Sequence, residues 1–188
     1  SRKWGIDHAG GEYIAFLDAD DSFEPEKIEK QVSYLESHPD IVLCHTAINI
    51  IGEQLNDSDL KWFNFKDEVY EYDLKMAPHY LQANWICNSS VMIKSEVMRK
   101  IPFAGNQMFQ FEDWLAWNLA AEYGSFVFLP SITTNYRFHP LAASYSIHND
   151  KLKSLYSHFE FYLSLASRSG SAETRTKCLT HLLEKIED

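Results

Sequence analysis

Asp18, Asp20 and Asp21 put three carboxylates within four residues, directly after the apolar run Tyr13-Ile14-Ala15-Phe16-Leu17. Like charges this close repel unless a cation sits among them or water solvates them fully. Two arrangements satisfy that condition. The acids could lie at a strand end and face the start of the next helix, whose N-terminus favours negative charge. Alternatively, alternate carboxylates could ligate a hard divalent cation whose shell phosphate oxygens complete. Ligands of open α/β sheets gather at the carboxyl ends of the strands. Spacing alone leaves both readings open.

Two further groups could do chemistry. Phe111-Glu112-Asp113-Trp114 stands at a helix start, where acids again suit the helix terminus, or where one carboxylate could act as a general base toward a hydroxyl. Tyr136-Arg137-Phe138-His139-Pro140 ends the last apolar strand. Arg137 and His139 alternate along it, so they share a face. A guanidinium and an imidazole on one face suit a pyrophosphate leaving group or a further metal ligand.

The chain that must position these residues has 188 residues, 45% hydrophobic and 23% charged. That is a globular composition, long enough for one domain with a core plus a helical appendage. A formal net charge of −10 argues against a nucleic-acid partner and is compatible with an acidic cation site. Of the five tryptophans, Trp4, Trp62, Trp85, Trp114 and Trp117, core is the preferred reading for most. Trp85, Trp114 and Trp117 are also candidates for stacking on an acceptor. Cys44, Cys87 and Cys178 show no metal-type spacing, and their odd number fits reduced thiols in cytoplasm. No apolar run is long enough to span a membrane, and no signal peptide opens the chain. It begins without Met, in what reads as a loop before a strand, so an excised fragment is the expectation.

Periodicity predicts a strand at Tyr13–Leu17 and a helix from Pro25 to Ser37, with Ser22 or Glu24 as its cap and Ile28, Val32 and Leu35 on its apolar face. A strand over Ile41–Ala47 follows, and strand–helix–strand favours an α/β sandwich. Residues from Gly52 to about Asp73 read as a variable excursion, and Met76–Leu81 as a short helix. A third strand is expected at Asn88–Ile93, a short helix at Ser95–Arg99, a loop at Gly105–Phe111 and a helix at Glu112–Tyr123 ended by Gly124. Late strands are expected at Phe126–Leu129 and Thr133–Phe138, then helix from about His148, broken at Ser167–Ser171.

Taken in order, these pieces resemble the family 2 glycosyltransferases of GT-A fold, which invert the sugar of a nucleotide-diphosphate donor. Ser1-Arg2-Lys3-Trp4-Gly5-Ile6 is similar to the end of that family's ARNxGI segment. Ala9 to Asp21 is close to its AxGEYIxFLDxDD segment, and Glu112-Asp113 to its ED motif. The resemblance covers about Ser1 to Ser146. It implies an α/β, Rossmann-like GT-A domain over 1–146, lacking the family's first nucleotide-binding strands, and a helical extension over 147–188. By it, Asp18 would contact the nucleoside, and Asp20, with Asp18 nearby, would ligate Mn²⁺ or Mg²⁺. Asp21 would support the loop, and Asp113 would be the catalytic base. Arg137 and His139 would act near the diphosphate, with Arg2 on the nucleotide side.

The implied partners are a nucleotide-diphosphate sugar, a UDP-sugar first among them, and a glycan, lipid-linked or protein acceptor, as in cell-surface polysaccharide synthesis. The implied location is cytoplasmic or at the inner face of the membrane; peripheral membrane association and a homo-oligomer are both compatible. Without its upstream strands the fragment is expected to be inactive alone. Two other readings stay open: a haloacid-dehalogenase-type phosphatase, with Asp18 as nucleophile and Asp20 as acid/base, and a non-catalytic module that binds sugar or protein.

Overall fold

The computed structural model describes residues 2–52, 68–76, 80–101, 110–139, 142 and 150–187. Trp62, most of the excursion after Gly52, most of the loop before Phe111, and Ser144 and Ser146 lie outside the described residues.

Helix α1 (Arg2–His8) precedes strand β1 (Tyr13–Ala15), where a loop was expected; its Ile6 is buried against the core. Strand β2 (Ser22–Phe23), helix α2 (Lys27–Ser37) and strand β3 (Ile41–Gly52) follow. Then come β4 (Tyr70–Tyr72), a 3₁₀ turn at Leu74–Met76 and a second 3₁₀ turn at Asn88–Ser90; half of the expected Met76–Leu81 helix, residues 77–79, lies outside the described residues. Strand β5 (Met92–Lys94), helices α3 (Ser95–Lys100) and α4 (Glu112–Ala120), and strand β6 (Ser125–Phe138) complete the sheet region. Helices α5 (Lys151–Arg168) and α6 (Ala172–Glu187) close the chain, divided at Ser169–Ser171 as the serine-glycine break predicts.

The sheet order is β1-β5-β3-β6-β2, with β4 also pairing β6. β3 and β6 run parallel along nearly their whole lengths, from Ile41 beside Ser125 to Gly52 beside Phe138. That pairing merges the two expected late strands into one. Between Thr46 beside Leu129 and Ala47 beside Ile132 the register slips, and Pro130 and Ser131 bulge out. Proline lacks the N–H that a continuous ladder needs, so a bulge is where a strand tolerates it. The bulge also separates two partners on the far edge of β6: β4 pairs residues 126–128 and β2 pairs Thr134 and Asn135.

Side chains alternate across the sheet. Leu43, Ile93 and Phe126 enter a core roofed by α4, α5 and α6, while Cys44, Met92 and Val127 enter a smaller core with Leu35 of α2. Burial on both faces accounts for the continuous apolar reading of β3. α2 departs from its predicted face: Lys27, Gln31 and Leu35 are buried and Ile28 is exposed. α4 is buried from Trp114 through Ala120, not along one stripe, because α5 covers its outer side. Trp114 stacks on Phe161 at 3.8 Å and Trp117 meets Phe16 edge-on at 5.6 Å. Gly124 follows α4 where backbone passes close: an added Cβ would lie 2.5 Å from Val42 Cγ1 and 2.9 Å from the Asp40 carbonyl.

Candidate active site

β1 ends at Ala15 and the chain turns through Asp18–Asp21 before β2 pairs antiparallel with the end of β6, Ser22 opposite Asn135. Extending that register backward brings the acidic turn alongside Arg137 and His139, and the hydrogen bonds agree. The Arg137 N–H donates to Asp21 Oδ1 at 2.8 Å, and its Nε–H donates to the Asp20 carbonyl at 3.0 Å. His139 Nε2 lies 3.0 Å from Asp20 Oδ2. The expected shared face of Arg137 and His139 is therefore the face that grips the acidic turn.

From below, the turn is held by a tripod of bonds from Asn88 and Ser89 in the 3₁₀ turn Asn88–Ser90. Asn88 Nδ2 donates to Asp18 Oδ1 at 3.1 Å. Ser89 Oγ accepts the Asp18 N–H at 3.0 Å and donates to Asp21 Oδ2 at 2.5 Å. Asp21 has become an internal brace: burial pushes its carboxyl above the usual range, and the bonds from Ser89 and Arg137 pull it back. The sequence reading missed this tripod because it assigned Asn88–Ile93 to a strand. The signal was available, since three polar residues ahead of Val91-Met92-Ile93 do not fit a buried strand. Beneath the tripod, the fully buried Lys27 Nζ donates to the Ser90 carbonyl at 2.8 Å and to Gln31 Oε1 at 2.6 Å.

Across Arg2 from the acidic turn, as the second wall of the site, lies the start of α4. Phe111 adopts a left-handed conformation (φ 62°) as the residue preceding the helix, a costly choice for a bulky side chain. Its ring packs edge-on against Trp114 at 5.3 Å and His158 at 5.0 Å, which holds the turn. Glu112 and Asp113 follow as the first residues of α4. Asp113 Oδ1 accepts the Trp114 N–H at 2.8 Å and Oδ2 accepts from Asn84 Nδ2 at 2.9 Å. Burial raises the Asp113 carboxyl above its ordinary value, opposed by those two bonds and by the positive charge of Arg2. Burial raises Glu112 as well.

Arg2, from α1, joins the two walls. Its Nη2 donates to Asp18 Oδ1 at 2.8 Å and its Nη1 to Glu112 Oε2 at 3.4 Å. Arg2, Asp18, Asp20, Asp21, Asp113, Arg137 and His139 thus fall in one connected region through Asp18 and its neighbours, with Asp113 reached through Arg2 and Glu112. Trp114 and Trp117 do not line it; at 3% and 1% exposed they are core. Trp85 is only partly buried and packs against the main core.

Among the described residues no group of three or more His, Cys, Asp or Glu side chains could hold a metal ion. The donor set on offer is the pair Asp20 and His139, 41% and 33% exposed. Asp18 is instead engaged by Arg2 and Asn88. An exposed carboxylate beside an imidazole fits Mn²⁺ or Mg²⁺ where ligand oxygens and water supply the remaining positions. Cys44, Cys87 and Cys178 are unpaired and buried, distant in kind from any such role, and no described helix is long and apolar enough to cross a membrane.

Comparison with known proteins bears on this geometry. A glycosyltransferase of Methanocaldococcus jannaschii is 32% identical over 117 residues, covering 62% of this chain and 38% of that protein. One of Haemophilus influenzae is 26% identical over 191 residues, covering 97% of this chain and 52% of that protein. The chain therefore spans about half the length of these relatives or less. Among solved structures, TarS 1–349 of S. aureus in complex with UDP-GlcNAc superposes with a TM-score of 0.67 at 13% identity, over 98% of this chain and 51% of that one. That likeness shows the GT-A fold. The model of the family described as glycosyl transferase family 2 matches residues 1–100, the stretch that carries Arg2, the acidic turn and the Asn88–Ser90 tripod, and this decides against the phosphatase reading: the chain belongs to glycosyl transferase family 2.

Proposed function

We propose that this chain forms the catalytic groove of an inverting sugar transferase that moves a glycosyl group from a nucleotide-diphosphate sugar, a UDP-sugar first among candidates, to an acceptor hydroxyl. The observation that carries the reading is the Arg2 bridge, which brings the Asp18 turn and the Glu112-Asp113 helix start to opposite sides of one guanidinium. Donor recognition on one wall and proton removal on the other is the arrangement that a single displacement needs.

In this reading Asp113 takes the proton from the acceptor hydroxyl as its oxygen attacks the anomeric carbon. The new C–O bond forms on the face opposite the diphosphate, the bond to the phosphate oxygen breaks with its electron pair, and configuration inverts. The pKa of Asp113, raised by burial, makes it a better proton acceptor than an exposed aspartate. Asp18 would contact the nucleoside, and Arg137 would stay near the diphosphate while holding the Asp20 carbonyl. Asp20 and His139, with Asp18 nearby, are the residues that would hold Mn²⁺ or Mg²⁺, which when bound neutralises charge on the departing diphosphate. Trp85 is the tryptophan left for acceptor stacking. A glycan, lipid-linked or protein acceptor fits equally.

The TarS complex with UDP-GlcNAc supports a UDP-sugar as the first donor to test. The experiment is calorimetric titration of UDP and UDP-sugars, with and without Mn²⁺, into the full-length protein and its Asp20→Ala variant, alongside a transfer assay. Asp20→Ala should abolish Mn²⁺-dependent activity and weaken binding while leaving the fold intact. Full activity in the variant, or activity indifferent to a chelator, overturns the metal assignment. We further propose that the 188-residue chain binds donor weakly and is silent by itself. β1 is the terminal strand of the sheet order, and its outer edge has no partner among the described strands. Equal affinity and turnover in this chain and in a longer form would remove that proposal.

A further inference from the structure

Asn84 is placed by its own segment. Ile86 is 3% exposed in the main core, and Trp85, between it and Asn84, packs partly buried against the same core. Within the segment, the Ile86 N–H donates to Asn84 Oδ1 at 3.2 Å. That last bond decides which end of the amide is oxygen. Reversing it would set an NH₂ against an N–H and an oxygen against the carboxylate. The Nδ2 end is therefore aimed at Asp113 Oδ2, 2.9 Å away.

We propose that Asn84 is a positioning residue for Asp113, fixing the plane of that carboxylate so that its remaining lone pairs face the acceptor hydroxyl; this rests on the reading of Asp113 as the proton acceptor. The Trp114 N–H bond to Oδ1 leaves the carboxylate free to turn about the axis of that single contact. The Asn84 amide, arriving from a segment 29 positions earlier, removes the freedom. Each oxygen then keeps one donor and one open lone-pair direction. Arg2 and Asp18 act on Asp113 through space, Arg2 lowering and Asp18 raising its pKa, and Glu112 adjoins it on α4; no hydrogen bond from any of them to Asp113 sets its plane. A base held this way is preorganised by rigid elements, and small misplacement of such a group is expensive in rate.

The test uses the catalytically active full-length protein and two variants. Asn84→Ala removes both the amide donor and the acceptor for the Ile86 N–H without adding charge; Asn84→Asp keeps the acceptor but sets a second carboxylate beside Asp113, so the neutral variant carries the test. The Asp113 carboxyl is followed by ¹³C NMR against pH, assigned by its loss in Asp113→Asn, and kcat and donor KM are measured over the same pH range. The expected result is a rise of about one pH unit or more in the Asp113 titration in Asn84→Ala, because a donor to the charged form has been lost, and a larger rise in Asn84→Asp, where a like charge is added as well. kcat should fall about 10- to 100-fold, with donor KM little changed and the acid limb of the profile moving up with the titration. An Asp113 that titrates where it does in the unaltered protein, or an unmoved profile accompanied only by a lower melting temperature, overturns the proposal. Asp113→Asn, run alongside, judges the underlying reading separately: full activity there removes the base assignment, whereas the Asn84 contact stands or falls on the titration.

Discussion

Asp113 and Glu112 are adjacent acids with different neighbours. Glu112 reaches Arg2, while Asp113 is held by a backbone N–H and an amide. Burial raises Glu112 too, but its direct ion pair with Arg2 opposes that rise by favouring the ionised form and occupies one of its oxygens. Asp113→Asn should therefore lower the transfer rate about 10²- to 10⁴-fold, with little change in donor affinity by titration. Glu112→Gln should be milder, and the reverse ranking in steady-state kinetics would assign the wrong carboxylate. The direction of the Asp113 shift sets the pH dependence. Burial raises its pKa, so the acid limb of the rate should lie above the ordinary aspartate value of about 3.9. A limb at or below that value would contradict the burial argument.

At the scale of the element, α2 is fastened to the sheet by an amine with no carboxylate partner among its bonds. Lys27 is fully buried, hydrogen-bonded to Gln31 and the Ser90 carbonyl, and 4.8 Å from the Phe23 ring centroid. Burial lowers its pKa from 10.5 to about 8. Between those values the unfolded chain binds more protons than the folded one, so stability rises with pH from about 8 toward 10.5 and the penalty is complete below 8. The span corresponds to roughly 3 kcal/mol. Comparing Lys27→Met with the unaltered chain by denaturant unfolding over that range should show their difference growing in favour of lysine as pH rises. Parallel curves would mean that the amine is solvated. The same lysine supports the Ser90 carbonyl, so α2 carries the tripod under Asp18 as well as the sheet.

Across the whole molecule, the last two helices share the core of the sheet domain. Phe161, Tyr162, Leu165, Cys178 and Leu182 lie in the same apolar cluster as Ile14, Phe16 and Trp117. Glu122, just after α4, accepts from the Gly170 N–H at 3.0 Å and from the Ser169 hydroxyl, tying the turn between α5 and α6 to that helix. Phe161→Ala would uncover the stacked face of Trp114, one residue from Asp113. It should cost about 3–5 kcal/mol of stability, read by denaturant unfolding, with Trp fluorescence shifted to the red in the folded baseline. A loss below about 1 kcal/mol would indicate that α5 merely rests on the domain.

What the sequence alone determined is the local chemistry. The acids after Tyr13–Leu17, the Glu112-Asp113 pair and the Arg137–His139 alternation are short-range patterns, readable because strand period and helix start are local properties. The family resemblance rests on the same short segments, and residues 1–100 match the family model. Tertiary structure decided which groups those residues meet. No periodicity announces that Asn88 and Ser89, about 70 positions away, will carry Asp18 and Asp21, or that Asn84 will face Asp113. Those contacts follow from strand order and register, which depend on pairings distant in sequence. Lys27 and Gln31 defeated the helix-face reading for the same reason: polar residues enter a core only where another element offers the partners, and here the Ser90 and Cys44 carbonyls do. Trp114 and Trp117 became core because α5 folds back over α4, a packing event that no residue of α4 encodes by itself.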